Sequence, residues 1–423
     1  MTTDVQTGIP DLIGESRVHR SIYTDPAIFE LEMKRIFSRT WVFIGHESEV
    51  PHAGDYKTDT VAGQPIVMTR DEEGAVRVLF NRCRHRGAKV CNLPYGNSST
   101  FSCLYHGWTF SNKGDLIAVP SRQLCPANFD PGNYPLVALP RVESYRGFVF
   151  GSLSAEGTPL EEHLGRATHY LDCLIDRSPE GEIQVCKPVK YSYPANWKLQ
   201  IENYSDNIHA RFTHEAAFAA RRPIESGAVE RYGAGSQQRS DLRMGINRVL
   251  SHGDSMTDYR GDRPQMAFAG RDPEYVSIMT EKYGAEQAQA IADMDIHVII
   301  YPNLLMHSAY CHYRVIKPVS VDQTVIVGYP FKLKGAPTEL NEAFVQASSE
   351  HISASGAVQV DDMEAFARVQ EGLAVEQDEW VSYVYGIEEP QVPNEYGEIE
   401  LGMMTEVPAL HQHREWLRLM SRD

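Results

Sequence analysis

Cys83-Arg84-His85-Arg86-Gly87 and Cys103-Leu104-Tyr105-His106-Gly107-Trp108 are the stretches on which the reading of this chain turns. Together they spell Cys-x-His followed by Cys-x-x-His, two mixed thiolate–imidazole pairs on separate loops. A [2Fe–2S] centre of mixed ligation needs this set: Cys83 and Cys103 would hold one iron, His85 and His106 the other. Neutral imidazoles raise the reduction potential above that of an all-Cys cluster, so the chain is expected to move electrons. The competing reading is a closed, tetrahedral zinc site. Three features weigh against zinc. Each pair mixes Cys with His, where zinc fingers pair like with like. The flanks are glycine- and aromatic-rich. The spacer 89–102, with Pro94, Gly96 and a run of Asn and Ser, reads as a hairpin and not as a finger helix.

The same two segments resemble the Rieske motif of aromatic-ring-hydroxylating oxygenase α subunits. The resemblance runs from about Val18 to Met420 and is strongest to the benzoate-dioxygenase-like group, which Ser178-Pro179-Glu180-Gly181, Asn196-Trp197-Lys198 and Tyr301-Pro302-Asn303 also fit.

Size and composition bound the alternatives. The chain has 423 residues, enough for two or three domains. Hydrophobic residues make up 42% and charged residues 23%, ordinary for a globular protein. No apolar run approaches the roughly 20 residues of a membrane span. The opening Met1-Thr2-Thr3-Asp4-Val5 lacks the pattern of a secretion signal, and a cytoplasmic location is expected. A formal charge of −17 argues against nucleic acid and anionic membranes as partners. Of seven cysteines, Cys91, Cys125, Cys173, Cys186 and Cys311 show no paired spacing and are expected as free thiols.

Along the chain, residues 26–38 carry a helical apolar pattern, and 61–68, 75–81 and 101–110 read as short strands, with Phe148-Val149-Phe150 as a last one. Beyond Thr158 the pattern changes. Helices are expected over 160–176, 196–220 and 340–370, and strands over 183–194, 296–305, 312–317 and 323–329. This is an α+β layout. The resemblance implies the same: an antiparallel β Rieske [2Fe–2S] domain beside a helix-grip catalytic domain, an antiparallel sheet around a long helix. The expected division is a helical segment at 1–38 packing on the catalytic domain, the Rieske domain at 39–155 and the catalytic domain at 156–423.

A second metal site is expected around Asp206-Asn207-Ile208-His209-Ala210-Arg211-Phe212-Thr213-His214. Mononuclear Fe(II) oxygenases need two His and one carboxylate on one face of the metal. With 16 histidines in the chain, such a pair alone is weak evidence. In a regular helix, residues five apart point about 140° away from each other. The spacing therefore predicts a break or a π-bulge between His209 and His214. The match of Glu202-Asn203-x-x-Asp206-x-x-His209-x-x-x-x-His214 to the family pattern implies His209 and His214 as ligands, and the second aspartate of Val360-Asp361-Asp362-Met363-Glu364, Asp362, as the third. Asp361 and Glu364 read as a solvated helix start. The resemblance further implies that Asp206 bridges to a Rieske histidine, His106, of a neighbouring subunit, and that Asn203 lies near the iron without bonding it.

Alignment with the family places His297, His307, Ile352 and Val358 on the substrate pocket, although aliphatic pairs and histidines are also ordinary core. Polar walls there favour an aromatic substrate with a polar substituent such as a carboxylate. Arg314 is a candidate partner for that group, or a structural ion-pair residue.

The implied function is that of a terminal oxygenase. NADH electrons would arrive through a separate reductase, with or without a ferredoxin, since the chain has no G-x-G-x-x-G fingerprint. Both atoms of O2 would be placed on adjacent ring carbons, giving a cis-dihydrodiol. The implied assembly is a homotrimer of α subunits, with a small β subunit in an α3β3 complex. The competitors are a Rieske monooxygenase, either a hydroxylase or an O-demethylase, and a pure electron carrier, which would have no use for residues 156–423.

Overall fold

The computed structural model describes residues 8–215, 245–259, 269–356 and 358–422. The chain divides into two compact units. One is Met33–Leu160; the other joins the described residues of Met1–Glu32 and Glu161–Asp423.

The smaller unit is built from antiparallel sheets. A four-stranded sheet has the order Val76–Phe80, Gln64–Arg70, Asp55–Val61, Tyr95–Asn97. A three-stranded sheet has the order Thr100–Ser102, Thr109–Ser111, Leu116–Ala118, and a third joins Arg141–Tyr145, Phe148–Ser152 and Val42–His46. The apolar run expected at 61–68 straddles a hairpin. Ala62 and Gly63 both take positive φ, 48° and 75°, so the alternation continues through the turn into the next strand. The core gathers Val67, Leu79, Phe101, Phe110 and Trp108 around the Cys83 and Cys103 side chains.

In the larger unit the strand order is Ile183–Val185, Gln323–Leu333, His312–Ser320, Leu304–His307, Ile296–Ile300, Ser255–Asp258, Ile246–Val249, Ile399–Gly402. Val189–Tyr193 also pairs with Gln323–Leu333, and every pairing is antiparallel. Register fixes two rows of side chains. Thr257, His297, His307 and His312 lie opposite one another in turn, and so do Ile299, Leu305, Arg314 and Gly328. Because side chains alternate with a period of two, both rows occupy one face. Helix Thr338–Ile352 closes onto that face at Gly328, where an added Cβ would meet Ile352 Cδ1 at 2.6 Å.

The expected long helices are each interrupted. Residues 160–176 form Leu160–Leu164 and Ala167–Ile175, and 340–370 fall on Thr338–Ile352 and Gln359–Gly372. The helix expected over 196–220 is Lys198–Ser205 and then Ala210–Thr213; its last residues, 216–220, lie outside the described residues.

Buried charge ties the larger unit together. Glu32, 0% exposed, accepts from Lys198 Nζ at 2.5 Å, Trp197 Nε1 at 2.8 Å and Trp416 Nε1 at 2.6 Å. Three donors on a buried carboxylate offset its loss of hydration. It joins the N-terminal segment, the Lys198–Ser205 helix and the Val407–Met420 helix.

Candidate metal centres

The two Cys/His loops of the smaller unit are built alike. Gly87 N donates to Cys83 O at 3.1 Å, and Gly107 N to Cys103 O at 2.9 Å. The loops close again through Cys83 N to Ala88 O and Cys103 N to Trp108 O, both 2.8 Å. The glycine four residues after each cysteine is required by its backbone, with φ of 81° at Gly87 and 65° at Gly107. Both thiols are buried at 3% exposure, whereas His85 and His106 are exposed. Burial raises the Cys83 thiol pKa, and the Cys103 thiol beside it adds to that, against the backbone N–H of His85. Burial and the charges of His106 and Arg86 lower the His85 pKa, which favours the neutral, ligating imidazole. The imidazoles of His85 and His106 have ring centroids 4.6 Å apart, and Trp108 stacks on His85 at 4.9 Å. Two inner thiols and two outer imidazoles, brought together from separate loops, fit a [2Fe–2S] cluster of Rieske type.

In the larger unit, His209, His214 and Asp362 converge, with one ligand atom from each lying within 4.8 Å of the others. Asp362 Oδ1 is 3.6 Å from His209 Nε2 and 3.2 Å from His214 Nε2. The backbone achieves this differently from the expectation. No π-turn lies between the histidines. The Lys198–Ser205 helix stops at Asp206, which is extended (φ −86°, ψ 121°) and whose Oδ1 accepts from Ile208 N at 2.7 Å. This local side-chain turn restarts the chain at His209, and one helical turn, Ala210–Thr213, ends at His214 with φ −100° and ψ 17°.

Each histidine has an aspartate behind it. Asp206 Oδ2 stands 3.3 Å from His209 Nδ1, and Asp361 Oδ2 stands 3.3 Å from His214 Nδ1. A carboxylate on Nδ1 fixes the tautomer that turns the Nε2 lone pair toward a metal. Burial opposes the His209 imidazolium, but Asp206 and Asp362 outweigh it, and the pKa lies above the usual histidine value. Asn203 Nδ2 lies 3.1 Å from His209 Nε2 and 3.2 Å from Asp362 Oδ1, beside the converging ligand atoms. Asp361 is thus more than a solvated helix start: its carboxylate faces His214, a candidate ligand. Glu364 does behave as a solvated residue, pairing with Arg368 one turn on at 2.8 Å.

Of the residues expected around a substrate, His297 and His307 stand together with ring centroids 4.1 Å apart. Tyr204 stacks on His297 at 4.9 Å. Ile352 packs against Gly328, and Val358, 7% exposed, precedes Gln359 at the start of the helix carrying Asp362. Sequence reading did not single out Tyr204, Gln359 or His312. Their signal is register, not motif: His312 faces His307 across two strands, and Gln359 lies three residues before Asp362. His297 and His307, with Asp295, also form a second group of potential ligands.

Two candidate ligand sets, one Cys2His2 and one His2Asp, suit an oxygenase with an electron-transfer centre and a mononuclear metal site. Residues 40–135 match the Rieske [2Fe-2S] domain, and 180–421 match the ring hydroxylating alpha subunit catalytic domain. The chain is 36% identical to the 2-halobenzoate 1,2-dioxygenase large subunit of Burkholderia cepacia, over 87% of this chain and 79% of that one. It is 36% identical to the toluate 1,2-dioxygenase subunit alpha of Pseudomonas putida, over 85% and 80%. The fold superposes on naphthalene 1,2-dioxygenase with indole bound in the active site, with a TM-score of 0.84 at 25% identity, covering 97% of this chain and 94% of that one. The chain belongs to the ring-hydroxylating oxygenase α subunits. It is the terminal oxygenase subunit of an aromatic-ring dioxygenase, an α+β protein that uses a Rieske cluster and a mononuclear iron.

Proposed function

We propose that this oxygenase cis-dihydroxylates an aromatic ring bearing a carboxylate or another polar substituent. The observation that carries the chemistry is the convergence of His209, His214 and Asp362, with an aspartate on the Nδ1 of each histidine. The relatives named for halobenzoate and toluate support the polar substrate class.

In this reading Cys83, His85, Cys103 and His106 hold the [2Fe–2S] cluster, and His209, His214 and Asp362 hold Fe(II). When bound, the cluster supplies electrons singly and the iron supplies the activation of dioxygen. The protein does the rest. Asp361, hydrogen-bonded to His214 Nδ1, holds a proton there, and the Asp206 carboxylate 3.3 Å from His209 Nδ1 favours the same tautomer, so both histidines present Nε2. Asn203, beside Asp362 and His209, orients the open side of the site. The enclosing surface carries His297, His307, Ile352 and Val358 and excludes water from the reacting ring. Asp206, with its side chain 33% accessible, also serves as the bridge to His106 of the partner subunit.

The working assembly is a cytoplasmic homotrimer of α subunits, with a small β subunit in an α3β3 complex, fed from NADH by a reductase or ferredoxin. Among the described residues, no helix is long and apolar enough to cross a membrane. The deciding experiment is product analysis under 18O-labelled O2 with a panel of substituted benzoates. Two labelled oxygens on adjacent carbons are expected. One labelled oxygen would establish a Rieske monooxygenase instead.

A further inference from the structure

Arg314 is buried at 3% exposure, and no carboxylate among the described residues lies within ion-pairing distance of it. A guanidinium cannot shed its proton, so burial leaves a charge that some partner must meet. Its Nη1 donates to Gln359 Oε1 at 2.5 Å. Two enclosed donors on this pair then meet no acceptor among the described residues: the Nε–H of Arg314 and the Nε2 amide of Gln359. Unmet donors in a protein interior are costly. A pair retained at that cost points to an acceptor that arrives from outside.

The pair sits beside the mononuclear site. Gln359 is fully buried on the helix that carries Asp362 three residues later. The Tyr204 ring, next in sequence to Asn203, lies 5.5 Å from the Arg314 guanidinium carbon. Burial raises the pKa of the Tyr191 phenol, which neighbours both groups: the Arg314 guanidinium opposes the rise and the Asp362 carboxylate adds to it. His312, two residues before Arg314 on the same face, is fully buried, and neither ring nitrogen has a hydrogen-bond partner among the described residues. Burial and the Arg314 charge hold the His312 pKa well below its usual value, so it brings no second charge.

We propose that Arg314 and Gln359 form a carboxylate clamp that selects anionic aromatic substrates. This rests on the polar-substituted-arene reading above and assigns the residues that recognise the substituent. One carboxylate oxygen accepts from Arg314 Nε and the other from Gln359 Nε2, in charge-assisted hydrogen bonds. A plain hydrocarbon in the same place would leave the guanidinium and both donors buried and unmet, so the clamp also rejects neutral arenes.

The test uses the purified oxygenase, with calorimetric binding of ring-substituted benzoates and their matched benzamides, and single turnover of each after dithionite reduction. Wild type is expected to prefer the carboxylates. Arg314→Met should lower the benzoate-to-benzamide ratio, in binding and in turnover, about 100-fold, and Gln359→Leu about 10-fold. Arg314→Lys should recover part of the loss. The Rieske absorption spectrum and iron content check folding. Gln359→Glu, which seats an acid on Arg314, covers the case in which Arg314→Met does not fold, and should exclude benzoates in favour of benzamides. Wild type that turns over benzoates while Arg314→Met or Gln359→Glu keeps its ratio overturns the clamp and leaves the substrate reading standing. Wild type that turns over only the neutral compounds overturns the substrate reading itself.

Discussion

His209 and His214 each lie between two carboxylates, one at Nδ1 and a shared one, Asp362, near Nε2. The outer aspartates therefore govern how well the inner nitrogens bind a metal. Asp361→Asn replaces an acceptor-only group and should weaken Fe(II) binding about 10- to 100-fold, with the Rieske spectrum intact. A competition titration against a chelator measures this. The raised pKa of His209 has a signed consequence for metal uptake. Below that pKa a proton competes with the metal for the imidazole, so apparent affinity should fall as pH drops, by about tenfold per unit for one displaced proton. Asp206 is among the groups that raise this pKa. Asp206→Asn should therefore shift the midpoint of iron uptake to lower pH. An unshifted midpoint would show that the raised value has another source.

Motif spacing made the Cys/His and His/His segments legible, because ligand chemistry fixes residue type and spacing. The local backbone was less legible. The apolar period over 196–220 reads through the Asp206 turn, since a side chain accepting Ile208 N changes the backbone without changing hydrophobicity. The same holds at Ala62-Gly63, where strand alternation continues across the hairpin. Long-range partners are less visible still. Nothing local in Glu32 announces that Lys198, Trp197 and Trp416 converge on it. Glu32→Ala leaves Lys198 buried and unpaired and should destabilise the protein by about 3–5 kcal/mol in denaturant unfolding. The double variant Glu32→Leu with Lys198→Met removes both charges and should recover most of that loss. If the double variant is no better than Glu32→Ala, the indole hydrogen bonds and not the ion pair hold this junction.

At the scale of the molecule, the two ligand sets belong to separate compact units, so their metals should be separable. Intact protein should carry about three irons per chain, two in the cluster and one mononuclear. A chelator should remove the single iron, held by three side chains, before it bleaches the cluster, whose thiols are buried. Function nevertheless requires electrons to pass from one site to the other. We assign the crossing to Asp206 because its carboxylate contacts His209 and keeps an accessible side. Asp206→Asn keeps the size and one acceptor oxygen but loses the charge. It should retain the cluster and the assembly, and iron loaded at high pH should stay bound. With substrate and O2, the reduced cluster should then fail to reoxidise on the catalytic timescale, a loss visible in stopped-flow absorbance. Reoxidation at the wild-type rate in the iron-loaded variant would leave Asp206 with only the orientation of His209, and would move the electron route to other residues.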